Sequence, residues 1–269
     1  MPSAATVRRQ IELSLEARFP AALSPAARTV RDVASTGIDV ADRVLDGGLP
    51  VGAISEIVGP ASSGRTSLAL SFLAQHTAEG RVCAWIDVED ALDPQSAAAN
   101  GVNLKQLLWV RCRPDAPQPG RNARRFRPYA KRTNETRPVW TRLDQALRAT
   151  DLLLQAGGFA AIVLDLADTA PEHGCRIPLA TWFRFRQAAD RTRCSLVLLG
   201  RTAFAQSSAA VAVECGRLRA QAANGMVLQA FTGELRREKQ RFTGGFAGTK
   251  KGPASTWSAA TTWQTEKHA

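Results

Sequence analysis

The residues best suited to chemistry in this chain are Gly59, Pro60, Ala61, Ser62, Ser63, Gly64, Arg65 and Thr66. Two glycines with four residues between them let the backbone curl, so that successive N–H groups point at an anion. A helix starting just after them would add its partial positive charge. The spacing is that of a phosphate-binding loop, with Arg65 where a lysine is usual. On that reading Thr66 offers its hydroxyl to Mg²⁺, and Arg65 lies along the β/γ-phosphates. Arginine keeps the charge but is planar and bulky, so it cannot act as a compact point charge between phosphates. Binding is therefore expected to outlast hydrolysis. A glycine-rich turn with no ligand would show the same letters.

Such a loop works only between a strand and a helix. Ala53–Val58 reads as a strand running into Gly59-Pro60, and Ser67–Thr77 as the following helix. Val82–Asp87, Leu107–Arg111, Ala160–Leu164 and Ser195–Leu199 are near-continuous apolar runs, with helical patterns at Leu143–Ala156 and Leu179–Thr192. Met226–Phe231 and Leu235–Lys239 read as a closing hairpin around Thr232-Gly233. Strands of this kind alternating with helices predict an α/β fold, a mainly parallel sheet covered on both faces. Residues 5–17 carry Val7, Ile11 and Leu15 at helical spacing, followed by the connector FPAALSPAA.

With 269 residues the chain can form one substantial domain with short extensions. The formal net charge is +11, which points to a polyanionic partner, although a GC-rich genome, which enriches Arg and Ala through codon usage, would give a similarly basic surface. Residues 113–137 concentrate it, with eight basic against two acidic side chains. Arg121, Arg124, Arg125, Arg127, Lys131 and Arg132, with Phe126 and Tyr129 between them, suit backbone pairing and base stacking on single-stranded DNA. A solvated charged loop is the alternative. The five cysteines are scattered without a CxxC pair, which argues against a disulfide framework and for a reducing compartment. No apolar run is long enough to span a membrane and the N-terminus lacks a signal-like apolar core, so a cytoplasmic protein is expected. Residues 243–269, rich in small and polar types with Trp257 and Trp263 as anchors, are expected to be a flexible tail that docks on a partner.

The stretch STGIDVADRVLDGGLPVGAISEIVGPASSGRTSLAL strongly resembles the opening of the RecA recombinase core, and VCAWIDVEDALDPQSAAANGVNL follows at the expected distance. AAIVLD resembles the family's Walker B strand and SLVLLGR the next strand. The resemblance implies a RecA-like nucleotide-binding core over 35–242, with an N-terminal helix and connector over 1–34. It implies ATP and Mg²⁺ as cofactors, with Glu89 as the water-activating glutamate and Asp165 holding the metal shell through water. Lys239 and Arg241 fall where a basic pair reaches a neighbouring subunit's γ-phosphate. Each has a plainer reading: Asp165 can cap a turn, Glu89 can pair with an arginine, and Lys239 and Arg241 can form a solvated strand face. Where the recombinases keep a γ-phosphate-sensing glutamine, this chain has Arg201 or Gly200, and both DNA-binding loops are shortened or absent. Within the superfamily the chain is most similar to the ImuA family, which implies an adaptor in damage-induced translesion mutagenesis with an ImuB-like polymerase homologue. That reading allows at most a weak DNA-dependent ATPase. A DNA-dependent ATPase and recombinase forming a RecA-type filament stays open, as does a regulator resembling a cell-division inhibitor. A homo-oligomer is compatible with each, and no membrane partner is expected.

Overall fold

The computed structural model describes residues 29–112, 140–223, 227–240, 242–244 and 255–260. Two short strands, β1 (Thr29–Arg31) and β2 (Val33–Ala34), lead into α1 (Asp39–Val44) and β3 (Leu49–Pro50). Then follow β4 (Ile54–Val58), α2 (Arg65–Ala78), β5 (Cys83–Asp87), α3 (Pro94–Ala99), β6 (Leu107–Arg111), α4 (Trp140–Ala156) and β7 (Ala161–Asp165). The rest comprises α5 (Pro171–Gly174), α6 (Leu179–Thr192), β8 (Ser195–Gly200), β9 (Ala209–Cys215), β10 (Arg219–Ala223), β11 (Val227–Gln240), β12 (Phe242–Gly244) and β13 (Ser255–Ala260).

The main sheet runs β6-β5-β7-β8-β4-β9-β11-β10, with β13 added to β11. From β6 to β9 every pairing is parallel. Every residue of β5 and of β8 is buried, which is why those segments read as near-continuous apolar runs. On one face α2 lays Leu68, Phe72 and Leu73 against Ile57, Trp85, Val163 and Val197, and α1 adds Val44 and Leu45. On the other face Leu143, Ala146 and Leu154 of α4 and Trp182 and Phe185 of α6 cover Ile86, Ile162 and Leu196. Arg184 of α6 joins Asp151 of α4 at 3.0 Å. The α/β architecture with a mainly parallel, helix-covered sheet is the one the sequence predicts, and the shared elements agree within a few residues. Among the described residues no helix is long and apolar enough to cross a membrane.

Two expectations need correcting. Thr232-Gly233 is not a hairpin turn: both residues lie inside the 14-residue strand β11, where Gly233 pairs with Trp257 and Thr232 with Arg219. β9 and β10 both pair antiparallel with β11, which runs unbroken through Thr232 and Gly233. The stretch read as a flexible tail from 243 is also corrected over Ser255–Ala260, which pairs antiparallel with Ala230–Leu235. A strand edge offers backbone hydrogen bonds that composition does not reveal. Phe242–Gly244 likewise pairs, parallel, with Thr29–Arg31. The helix expected at 5–17, the basic segment 113–137, Arg241 and Trp263 lie outside the described residues.

Candidate nucleotide site

The phosphate-type loop stands at the C-terminal end of β4, in the middle of the sheet, and runs straight into α2. Gly59 is required there by close approach, because a Cβ would fall 2.4 Å from the carbonyl oxygen of Cys215. Ser62 and Gly64 both take left-handed backbone angles, with φ of 58° and 84°. Left-handed residues beside ordinary ones turn consecutive N–H groups to one side, the concavity an anion uses. The N–H of Gly59 donates to Gly200 at 3.1 Å, and Leu68 closes the first helical turn on Gly64 at 2.9 Å. Thr66 is exposed at the helix start, and Ser63 is buried with its hydroxyl unpartnered.

Arg65 is buried, only 6% exposed. One terminal nitrogen donates to the carbonyl of Gly59 and lies 3.5 Å from that of Gly200. The other donates to the carbonyl of Ala167 at 3.3 Å and sits 4.0 Å from Asp168. The guanidinium thus spans the ends of β4, β8 and β7. A planar fork with several donors can meet acceptors on three chain segments, whereas an ammonium on a flexible stem cannot fix that geometry. Arg201 reaches the same place from β8: its Nε donates to Ala167 at 3.4 Å, and its terminal nitrogen is 3.8 Å from Asp168.

Asp165 ends β7 beside Asp87, its partner in the parallel register with β5. Burial raises its pKa to about 6, against the opposing hydrogen bond from the Ala167 N–H at 3.0 Å. That bond is the turn-capping role a strand-end aspartate performs. Asp87 accepts from the N–H groups of Ala91 and Leu92 and from the indole of Trp109 at 3.0, 2.9 and 3.2 Å. It thereby shapes the loop that carries Glu89. Glu89 itself is paired with Arg142 of α4 at 2.8 Å. Lys239 lies on β11, opposite Ala212 of β9, and donates to the carbonyl of Gln206. The structure therefore gathers Gly59–Thr66, Asp165 and Arg201 at the strand ends and leaves Lys239 on a separate strand, bonded to the protein.

Sequence reasoning missed three participants. Asp168 joins both arginines, but an aspartate three residues past a strand end carries no motif. Glu56, buried inside β4, accepts from the N–H groups of Phe204 and Ala205 and so fixes the segment after β8. Burial pushes its carboxyl above the ordinary range, against those two bonds and the charge of Lys239. Third, a cavity of about 330 Å³ lies where β9 passes into β10, lined by Arg217, Arg219, Gly233, Glu234 and Thr256. Leu218 within that segment is 3.5 Å from the carbonyl of Ser62, which sets the cavity beside the loop.

ATP and Mg²⁺ fit these residues in part. The curled backbone of 59–64, the orphaned Ser63 hydroxyl and the exposed Thr66 suit a phosphate with its metal ion, and Asp165 stands within the same group of strand ends. Arg65 and Glu89, the residues expected to act on the transferring phosphate and on water, are committed to Gly59, Ala167 and Arg142. No hydrolytic step follows from that arrangement.

Residues 22–122 match the RecA N-terminal domain family. Among curated proteins, RecA of Crocosphaera subtropica is 44% identical over 102 residues, 38% of this chain and 29% of the relative. RecA of Ruegeria pomeroyi is 37% identical over 131 residues, 49% of this chain and 29% of the relative. The matched part thus spans less than a third of those RecA proteins. Among solved structures the RadB recombinase is similar at a TM-score of 0.53 and 15% identity, covering 82% of this chain and 94% of the other. The core is RecA-like in sequence through the phosphate loop and in fold across most of the chain.

Proposed function

We propose that this chain is a RecA-like, nucleotide-binding adaptor in DNA repair that holds ATP without turning it over appreciably. The observation that carries this reading is the placement of Arg65, whose guanidinium is bonded to backbone carbonyls at three strand ends. A phosphoryl-transfer site depends on a cation tracking the outer phosphate and a base orienting the nucleophile. Here the first is bonded to the frame and the second, Glu89, is paired with Arg142. The loop backbone and Thr66 remain to bind phosphate and metal. The basic segment 113–137, which follows edge strand β6, supports single-stranded DNA as the polyanion. The compact segment between β8 and β9, pinned by Glu56, supports an adaptor over a strand-exchange enzyme. The partner consistent with this role is an ImuB-like polymerase homologue in translesion synthesis.

Equilibrium binding of a fluorescent ATP analogue, then turnover with and without single-stranded DNA, tests the reading. Binding with negligible turnover supports it. DNA-stimulated turnover at the rate of an active recombinase would instead establish the ATPase alternative, which the similarity of residues 22–122 to RecA favours.

A further inference from the structure

Arg65 and Arg201 come from chain segments more than a hundred residues apart, yet both donate to the carbonyl of Ala167 and both flank the carboxylate of Asp168. Three strand ends meet there: Arg65 opens α2 after β4, Ala167 and Asp168 follow β7, and Arg201 follows β8. Arg65 is buried, whereas Asp168 and Arg201 are half exposed, so the anion and its second cation form the outer side of the cluster. We propose that Asp168 closes an autoinhibitory latch that retains Arg65 on the carbonyl oxygens of Gly59 and Ala167, with Arg201 tuning its strength, so that a phosphate ligand must open the latch to gain the guanidinium.

The proposal rests on the reading of Gly59–Thr66 as a phosphate site and adds a gate to it. Carbonyl oxygens and a carboxylate compete with phosphate oxygens for the same N–H donors, and charged acceptors make the stronger bonds. A polyphosphate therefore outbids Gly59 and Ala167 for Arg65, but must also overcome the attraction of Asp168. Arg201 bears on the same balance: it shares Asp168 and so weakens the hold on Arg65. An arginine at this loop position is then a built contact with its own counter-ion rather than a damaged lysine.

The test is a double-mutant cycle on the full-length chain with Asp168→Asn and Arg65→Met, read by calorimetric binding of inorganic tripolyphosphate. Asp168→Asn is expected to tighten binding about threefold in the wild-type background, the size a half-exposed ion pair supports, and to change nothing once Arg65 is methionine. An equal gain in both backgrounds would be simple relief of repulsion and would overturn the latch while leaving the phosphate site intact. Binding by none of the four proteins would overturn the phosphate site, and the gate with it. Urea denaturation of the same ligand-free proteins gives a second readout. Non-additive losses for the pair support the contact, and additive losses overturn it.

Discussion

The carboxylate of Glu56, at the centre of β4, accepts the N–H of Phe204 at 2.6 Å across 148 positions of sequence. The neighbouring N–H of Ala205 donates to the same oxygen at 2.7 Å. Phe204 in turn fills a slot shaped by glycine: a Cβ at Gly174 would fall 2.2 Å from its ring, and one at Gly200 2.7 Å. A buried carboxylate is thus the anchor of the segment after β8. Replacing Glu56 by leucine leaves two buried N–H groups without acceptors and should cost about 3 kcal/mol in urea denaturation, whereas glutamine keeps an oxygen and should cost less than half of that. A loss below about 1 kcal/mol for leucine would show that water reaches those groups instead.

Arg65→Lys tests whether the fork geometry matters. Lysine would restore the usual loop residue but would abandon most of the carbonyl contacts at Gly59, Gly200 and Ala167. Stability should fall by about 2 kcal/mol, and ATP turnover should stay near background because Glu89 remains paired with Arg142. Turnover that appears with lysine alone would mean that the Glu89 pairing yields readily and that Arg65 was the sole block.

His76 makes the fold acid-sensitive. It is buried in α2, packs its ring edge-on to Phe72 at 4.6 Å, and has neither ring nitrogen hydrogen-bonded. Burial lowers its pKa from the ordinary 6.5 to about 4, with the charge of Arg81 adding to the shift. As pH falls below about 6.5 the unfolded chain takes up a proton that the folded chain refuses until about 4, so stability declines through that window by up to about 3 kcal/mol. His76→Leu should remove this decline, seen as a flatter profile of unfolding midpoint against pH. An unchanged profile would place the acid sensitivity elsewhere.

The sheet and its helices were legible because β5, β7 and β8 are apolar except for one polar residue at an end of each, and the loop was legible because glycine spacing is a local property. What Arg65 touches was not. Its acceptors are backbone oxygens at Gly200 and Ala167, and backbone carries no sequence signal. Glu56 was hidden for the same reason, as a lone acid in an apolar strand whose partners are main-chain N–H groups far along the chain. The long strand β11 was not legible because Thr232-Gly233 has the composition of a turn, while its backbone pairs on both sides with β10 and β13. Ser255–Ala260 was misread because a strand that adds to an existing edge needs little apolar surface of its own.

If the proposed function holds, the basic segment 113–137 should set the salt dependence of DNA binding. If Arg124, Arg125, Arg127 and Arg132 each meet one phosphate of a single strand, the logarithm of affinity should fall against the logarithm of salt with a slope of roughly −0.7 per contact. Reversing two of these charges should reduce the slope by about 1.4 and weaken binding to all sequences alike. Fluorescence anisotropy with an oligothymidine at several salt concentrations measures both. An unchanged slope after deletion of 113–137 would assign the contact to another surface.

The last strand offers a test of what holds the sheet edge. β13 pairs with Ala230–Leu235, covering the flank of β11 opposite the strands β9 and β10 that also pair with it. Removing residues 245–269 deletes that strand but keeps Phe242–Gly244, so β1 retains its partner. Among the described residues the core clusters contain none beyond Leu235, so the truncated protein is expected to fold and keep its phosphate loop. Its β11 would then present unpaired N–H and C=O groups, the arrangement that recruits a strand from a second chain. The expected outcome is faster amide exchange at 230–235, a fall in Tm of a few degrees for each kcal/mol lost, and concentration-dependent association in sedimentation. A truncated protein that stays monomeric, with unchanged exchange at those amides, would show that β13 does not hold the edge in solution. The tail would then be available for a partner along its whole length.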